Sequence, residues 1–289
     1  MKFEKPSFTT PLLFILPTLF IIVVFWIAPA VTSVYLSLTD ASNNFIGASN
    51  YVTAFTDVYF QRSITASLLY MAGNVTISVV IALVMSFLMN NVRGEQYVAA
   101  TWFLPWLFST VMAGLMFSWL FNPSFGLINA ILLKLGIVDM PILWLSSYPE
   151  AMITVIIAGV WGACAFGSLV ILSGLKSIPS EIINSAKLEV PNFLSMFRHI
   201  YFPWIKGQII LFATLQTIWT LQEYGLPLAL TSGGPGGRTA FIFYYVYKEG
   251  FLSMKFNLAA AQGFISVLFI SLFIVAYTKL VKPMEIYSR

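Results

Sequence analysis

Gln216, Trp219, Thr220 and Glu223 recur at i, i+3, i+4 and i+7, the spacing that gathers side chains on one face of an α-helix. The surrounding stretch is apolar, so a carboxylate there costs about 2.5–3.5 kcal/mol on insertion scales and is by default a functional group. A carboxylate, an amide and a hydroxyl hydrogen-bond hydroxyl groups, and an indole face stacks on the C–H side of a sugar ring. Together these four residues suit a carbohydrate. The alternative role for Glu223 is an interhelical hydrogen bond or a wet position near the outer surface.

Other residues that carry chemistry elsewhere are less suggestive here. His199 is the sole histidine and has no nucleophile or carboxylate arranged with it in sequence, which makes it a solvated loop side chain. Cys164, the single cysteine, lies in an apolar run and reads as a small core residue, excluding an intrachain disulfide framework. The segment "SGGPGGRT" is glycine-rich but lacks the Lys-Ser/Thr pair of a phosphate loop, so no ATP site is expected in this chain. Asn257 and Gln262 read as helix-packing polar residues, and Gly162 and Gly167 as points of close helix approach.

The elements that must position these residues are membrane spans. Of 289 residues, 59% are hydrophobic and 9% charged, against about 25% charged in soluble domains. Apolar segments near 12–38, 64–89, 97–121, 151–175, 208–230 and 256–280 predict six transmembrane helices, each close to the roughly 20 residues a bilayer requires. The expected fold class is therefore all-α, a polytopic six-helix bundle forming a single domain over 1–289. With the N-terminus inside, ten of the fifteen basic residues fall on one side, Lys2, Lys5, Arg93, Lys176, Lys187, Arg198, Lys206, Lys279, Lys282 and Arg289, which predicts both termini in the cytoplasm. The loops read as outward are rich in Asn, Ser, Gly, Pro and aromatic residues and predict a structured cap.

The longest polar stretch, "SEIINSAKLEVPNFLSMFRHIYFP", occupies 180–203 on the cytoplasmic side. Ser180 can cap a first short helix, Pro191 forces Val190 toward an extended conformation, and a second helix should start near Asn192, with Phe193, Met196, Phe197 and Ile200 on one face. Two readings remain open for this helix–bend–helix: interfacial helices lying on headgroups, or docking into the groove of a soluble partner.

The stretch resembles the cytoplasmic loop of binding-protein-dependent ABC importer permeases, whose pattern is Glu-Ala-Ala, three residues, Gly, nine residues, Ile-x-Leu-Pro. The spacing is kept as Asn184-Ser185-Ala186, Val190 and Ile200-Tyr201-Phe202-Pro203, with Asn184 in place of the acidic residue and Val190 in place of the glycine. "SNYVTAF", "FLPW", "GLINAILLKLGI", "SGLKSIPSE", "LTSGGPGGRT" and "NLAAAQGFISVLFI" follow in the order expected for the maltose and glycerol-phosphate type. The resemblance implies one permease subunit of a sugar importer in a bacterial cytoplasmic membrane. Its implied partners are a second homologous permease, two ABC ATPase subunits carrying ATP and Mg, and an extracytoplasmic solute-binding protein. It places Gln216, Trp219, Thr220 and Glu223 on sugar-contacting positions, together with Gly162, Ala163 and Phe166 in the fourth span. It also implies a coupling loop at about 176–207, with Glu181, Asn184, Ser185, Ala186, Lys187, Leu188, Glu189, Val190, Met196, Phe197 and Arg198 at the ATPase contact. No cofactor is implied in the chain itself, and no nucleic acid. The rival readings are a membrane-embedded enzyme acting on a lipid-linked substrate, for which no nucleophile, acid/base pair or metal cluster is visible, and a secondary carrier, which predicts coupled ionisable residues in several spans.

Overall fold

A computed structural model describes residues 9–189 and 192–280. The Val190-Pro191 bend lies outside the described residues. In chain order the α-helices are α1 (Thr9–Ile22), α2 (Ala28–Ser37), α3 (Ser49–Thr56), α4 (Val58–Asn90), α5 (Glu95–Phe103), α6 (Thr110–Leu120), α7 (Leu127–Lys134), α8 (Glu150–Lys176), α9 (Ser180–Glu189), α10 (Phe193–Met196), α11 (Phe202–Leu221), α12 (Gly225–Leu230), α13 (Ile242–Tyr247) and α14 (Phe256–Leu280). Among the described residues the one β pairing is an isolated bridge between Thr39 and Phe45. Among the described residues, four helical stretches are long and apolar enough to cross a bilayer, and a bent pair, taken as one span, supplies a fifth. The chain is thus an all-helical, multi-pass membrane protein.

The third span, expected as one continuous helix over 97–121, is broken. α5 runs into a 3-10 turn at Leu104–Leu107, Phe108 is extended, and α6 departs at 94°. Pro105 explains the break, because it has no N–H to donate and its ring crowds the preceding turn. Ser109 then caps the new helix, its hydroxyl accepting from the Met112 N–H at 3.2 Å. The fifth span also ends earlier than expected. α11 stops at Leu221, so Glu223 lies beyond the helix rather than on its face with Gln216, Trp219 and Thr220.

Contacts divide the chain into two compact units, one comprising the chain through Asp57 plus Val246–Ile265, the other Val58–Tyr245 plus the chain from Ser266. In the first unit, Asn257 Nδ2 donates to Leu36 O, Thr39 Oγ1 and Asp40 O, each at 3.1 Å. Asn50 Nδ2 donates to the carbonyls of Ser37 and Thr39. Asn257 ties the start of α14 to the end of α2, the packing role expected for it, and Asn50 ties α3 to the same end. Glu249, buried, pairs with Lys255 at 3.1 Å.

In the second unit, α4 and α8 form the central pair. The buried face of α4 is a ladder of small and polar residues, Ser63, Ser67, Tyr70, Asn74, Ser78, Ala82 and Ser86. Lipid supplies no hydrophobic drive between helices, so close backbone approach and interhelical hydrogen bonds must hold such a pair together. Gly159 of α8 meets this ladder so closely that a Cβ there would lie 2.2 Å from Tyr70 Oη and 2.4 Å from Asn74 Nδ2. Gly167 likewise abuts the Phe212 ring of α11, at 2.4 Å for an added Cβ, as expected of a close-approach glycine. Trp102 Nε1 donates to Ser168 Oγ at 3.1 Å, and Glu95 pairs with Lys176, fastening α5 along α8. The 122–149 connection is ordered around buried Asn129, which exchanges hydrogen bonds with the Ile142 backbone and accepts from Trp144 Nε1.

Candidate functional site

The break between α5 and α6 opens a cavity of about 240 Å³ in the second unit. Its aromatic walls are Trp106 and Phe108 from the break, Trp161 from α8 and Trp219 from α11. Trp106 stacks on Phe166 with ring centroids 5.4 Å apart, Phe166 meets Trp219 edge-on at 5.4 Å, and Trp161 packs against Phe108 and Phe117. Rings locked by other rings present fixed faces to the cavity.

The polar groups come from three helices and the segment after α11. Gln216 Nε2 donates to Asn74 Oδ1 at 2.8 Å, Asn74 Nδ2 donates to Tyr70 Oη at 3.3 Å, and Ser78 Oγ donates to Asn74 Oδ1 at 3.4 Å. This buried chain joins α4 to α11 and positions Gln216 and Tyr70 at the cavity wall. Thr220 Oγ1 donates back to the carbonyls of Gln216 and Thr217. Glu223 does not share the helical face, but the turn at Gln222 brings it to the same cavity. Its carboxylate accepts from the Leu226 N–H at 2.9 Å and from the Thr110 hydroxyl, linking the start of α12 to the start of α6. Such bonds lower the cost of withdrawing a carboxylate from water.

Of the residues singled out from sequence, Gln216, Trp219, Thr220, Glu223, Gly162 and Ala163 line this cavity. Phe166 stands behind it, supporting Trp106 and Trp219. Gly162 is not a close-approach glycine: an added Cβ would meet only Pro105 O, at 3.7 Å. Sequence reasoning missed Tyr70, Trp106, Phe108, Thr110 and Trp161 at the wall and Asn74 behind it. The Ser67, Tyr70, Asn74, Ser78 ladder is a polar stripe at helical spacing, and that signal was available; the cavity at the helix break was not.

The polar loop forms a second candidate surface. α9 begins with Ser180, whose hydroxyl donates to Glu181 instead of capping the helix; the Pro179 carbonyl starts the ladder. Asn192 caps α10, accepting from the Ser195 N–H at 2.9 Å. Glu181, Asn184, Ser185, Lys187, Leu188, Glu189 and Arg198 are exposed, while Ala186 and Met196 are buried within the chain. Phe197, half-buried, joins Phe193 and Tyr201 around Phe87 of α4, at 5.1–5.8 Å between centroids. The loop is therefore anchored by rings to the helix that carries the Asn74 ladder. Leu188, 91% exposed, Leu194 at 75% and Phe193 at 64% project from it.

No protein-family model matches the chain. It is 26% identical over 267 residues to the sn-glycerol-3-phosphate transport system permease protein UgpA of Agrobacterium fabrum, covering 90% of each chain. It is 27% identical over 273 residues to the trehalose/maltose transport system permease protein MalF of Thermococcus litoralis, covering 92% of each. Among solved structures, a chain of a bacterial alginate ABC transporter, in complex with an alginate pentasaccharide-bound periplasmic protein, superposes with a TM-score of 0.81 at 21% identity over 95% of this chain and 94% of that one, a likeness of fold. These relatives are transport components, not enzymes. The chain is thus a relative, along about nine-tenths of its length, of the sugar ABC transporter permeases of the glycerol-phosphate and maltose type.

Proposed function

We propose that this chain is one of two transmembrane permease subunits of an ATP-driven importer that passes a sugar or oligosaccharide from an extracytoplasmic binding protein to the cytoplasm. The observation that carries the reading is the cavity at the α5–α6 break, where fixed indole faces and hydrogen-bonding groups converge as carbohydrate recognition requires. At about 30 Å³ per water it has room for roughly eight waters, on the order of one sugar ring. Trp219 offers a stacking face; Gln216, Thr220 and Glu223 take hydroxyls; Gly162 and Ala163 leave space, and Phe166 holds the indoles of Trp106 and Trp219.

In this reading α11 is a span alongside the four long helices and the bent pair, making six, with both termini cytoplasmic. The 176–207 loop is then the element gripped by one of two ATPase subunits that bind ATP and Mg, since this chain supplies no cofactor of its own. Leu188, Leu194 and Phe193, with Glu181, Asn184, Ser185, Lys187, Glu189 and Arg198, face the ATPase. Ala186, Met196 and Phe197 hold the loop in shape. Movement of the ATPases would be transmitted through the ring cluster on Phe87 to α4. ATP drives transport only if it binds the inward-open and outward-open states with different affinity.

The test is co-purification of the complex after Leu188→Asp and Leu194→Asp. Both side chains are exposed, so the bundle itself should keep its stability within about 0.5 kcal/mol. Loss of the ATPase subunit from an intact bundle supports the reading. Retained assembly and transport would return the loop to an interfacial role.

A further inference from the structure

The cavity wall has a charge signature that narrows its ligand. Glu223 is its one acidic side chain, and no Lys, Arg or His lines it among the described residues. The Thr220 hydroxyl proton is spent on the carbonyls of Gln216 and Thr217, and the Thr110 proton on Glu223. What these hydroxyls leave toward a ligand is lone pairs. The remaining polar groups, Gln216, Tyr70 and the indole N–H groups of Trp106, Trp161 and Trp219, are neutral. Recognition of phosphate or carboxylate draws on bidentate Arg, Lys or convergent N–H donors, and no such cationic group is built into this wall.

We propose that the cavity admits an uncharged sugar or polyol, whose hydroxyls bond to neutral side chains and to the Glu223 carboxylate, and excludes phosphorylated and uronic ligands. The inference rests on the carbohydrate reading above and sharpens it. It separates this chain from the relatives named for sn-glycerol-3-phosphate and from the transporter of alginate, an acidic polysaccharide. An anionic group about 6 Å from the Glu223 carboxylate, at an effective dielectric near 20, binds on the order of 100-fold more weakly than its neutral counterpart.

The experiment uses the full chain in lipid nanodiscs and saturation-transfer NMR with glucose, trehalose, maltose, glucuronate, digalacturonate and glycerol 3-phosphate as probes. Saturation transfer to at least one neutral sugar, with the anionic probes 50-fold weaker or silent, is the expected result. Anionic probes binding as well as neutral ones would overturn the exclusion and leave the sugar reading standing. Silence from every probe would overturn the sugar cavity and the exclusion with it. A second variant tests the cause: at Gly162 a side chain has room to start, so Gly162→Lys places a cation in the cavity. It should raise binding of glycerol 3-phosphate at least tenfold relative to trehalose; an unchanged ratio in a folded variant would show that wall charge does not set the preference.

Discussion

Replacing Gly159 by alanine tests the packing on which the cavity depends. An added Cβ would sit 2.2 Å from Tyr70 Oη and 2.4 Å from Asn74 Nδ2, both buried and hydrogen-bonded to each other, so neither can swing away freely. Overpacking of this kind costs about 1–3 kcal/mol. Alanine returns up to about 1 kcal/mol through helix propensity. With that full return the expected net loss is about 0–2 kcal/mol, with a weakened Tyr70–Asn74–Gln216 chain. Gly162→Ala is the matched control, one turn further along the same helix, where the added Cβ meets only Pro105 O at 3.7 Å. It should be neutral or slightly stabilising for folding while placing a methyl in the cavity. Reversible unfolding in mixed micelles measures the first effect, and ligand titration in nanodiscs the second. Gly159→Ala as stable as the parent, with Gly162→Ala destabilised, would refute the argument that α4 and α8 meet at Gly159 and leave space at Gly162.

Asn74→Leu removes the middle of the buried chain; interhelical hydrogen bonds in membranes average about 0.6 kcal/mol, so unfolding should shift by roughly 1 kcal/mol while sugar binding falls further, because Gln216 loses its anchor. Equal loss of stability and binding would reduce Asn74 to packing. In the 40–44 turn, the Asn44 N–H and side-chain amide, with the Ser42 N–H, hold the Asp40 carboxyl below its ordinary value. A depressed folded value means that the turn's extra stability is present above the unfolded value of 3.8 and is lost as pH falls through the lower folded one. Amide exchange at Ser42 and Asn44 should therefore lose protection, after correction for intrinsic rates, only in that acidic window, and Asp40→Asn should abolish the pH dependence; protection that ignores pH in the parent would sink the assignment.

Much of this was legible in the residues. The apolar segments announced a membrane bundle, and the start of the polar loop's second helix was visible from Asn192, whereas the Ser180 hydroxyl bonds Glu181 and does not cap the first. Gln216, Trp219 and Thr220 share a face because helical spacing alone puts them there. Glu223 reached the same cavity by a different route. Its apolar context suggested continued helix, but the chain turns at Gln222 and the carboxylate caps the next segment, a choice made by partners at Thr110 and Leu226 that lie far away or downstream. Gly162 and Gly167 look alike in sequence, and only their neighbours, an open cavity and the Phe212 ring, separate them.

By itself, the sequence determined the medium and the helical period, because lipid demands internally satisfied backbones and long apolar runs permit no other structure. It also determined one face of the site, since periodicity acts within a single helix. Tertiary structure decided the rest. Pro105 shows that a break is available, but its 94° bend and the cavity it opens depend on what α8 and α11 place against it. The pairing of Asn74 with Gln216, 142 positions apart, is a contact between helices, and no pattern within either helix encodes it.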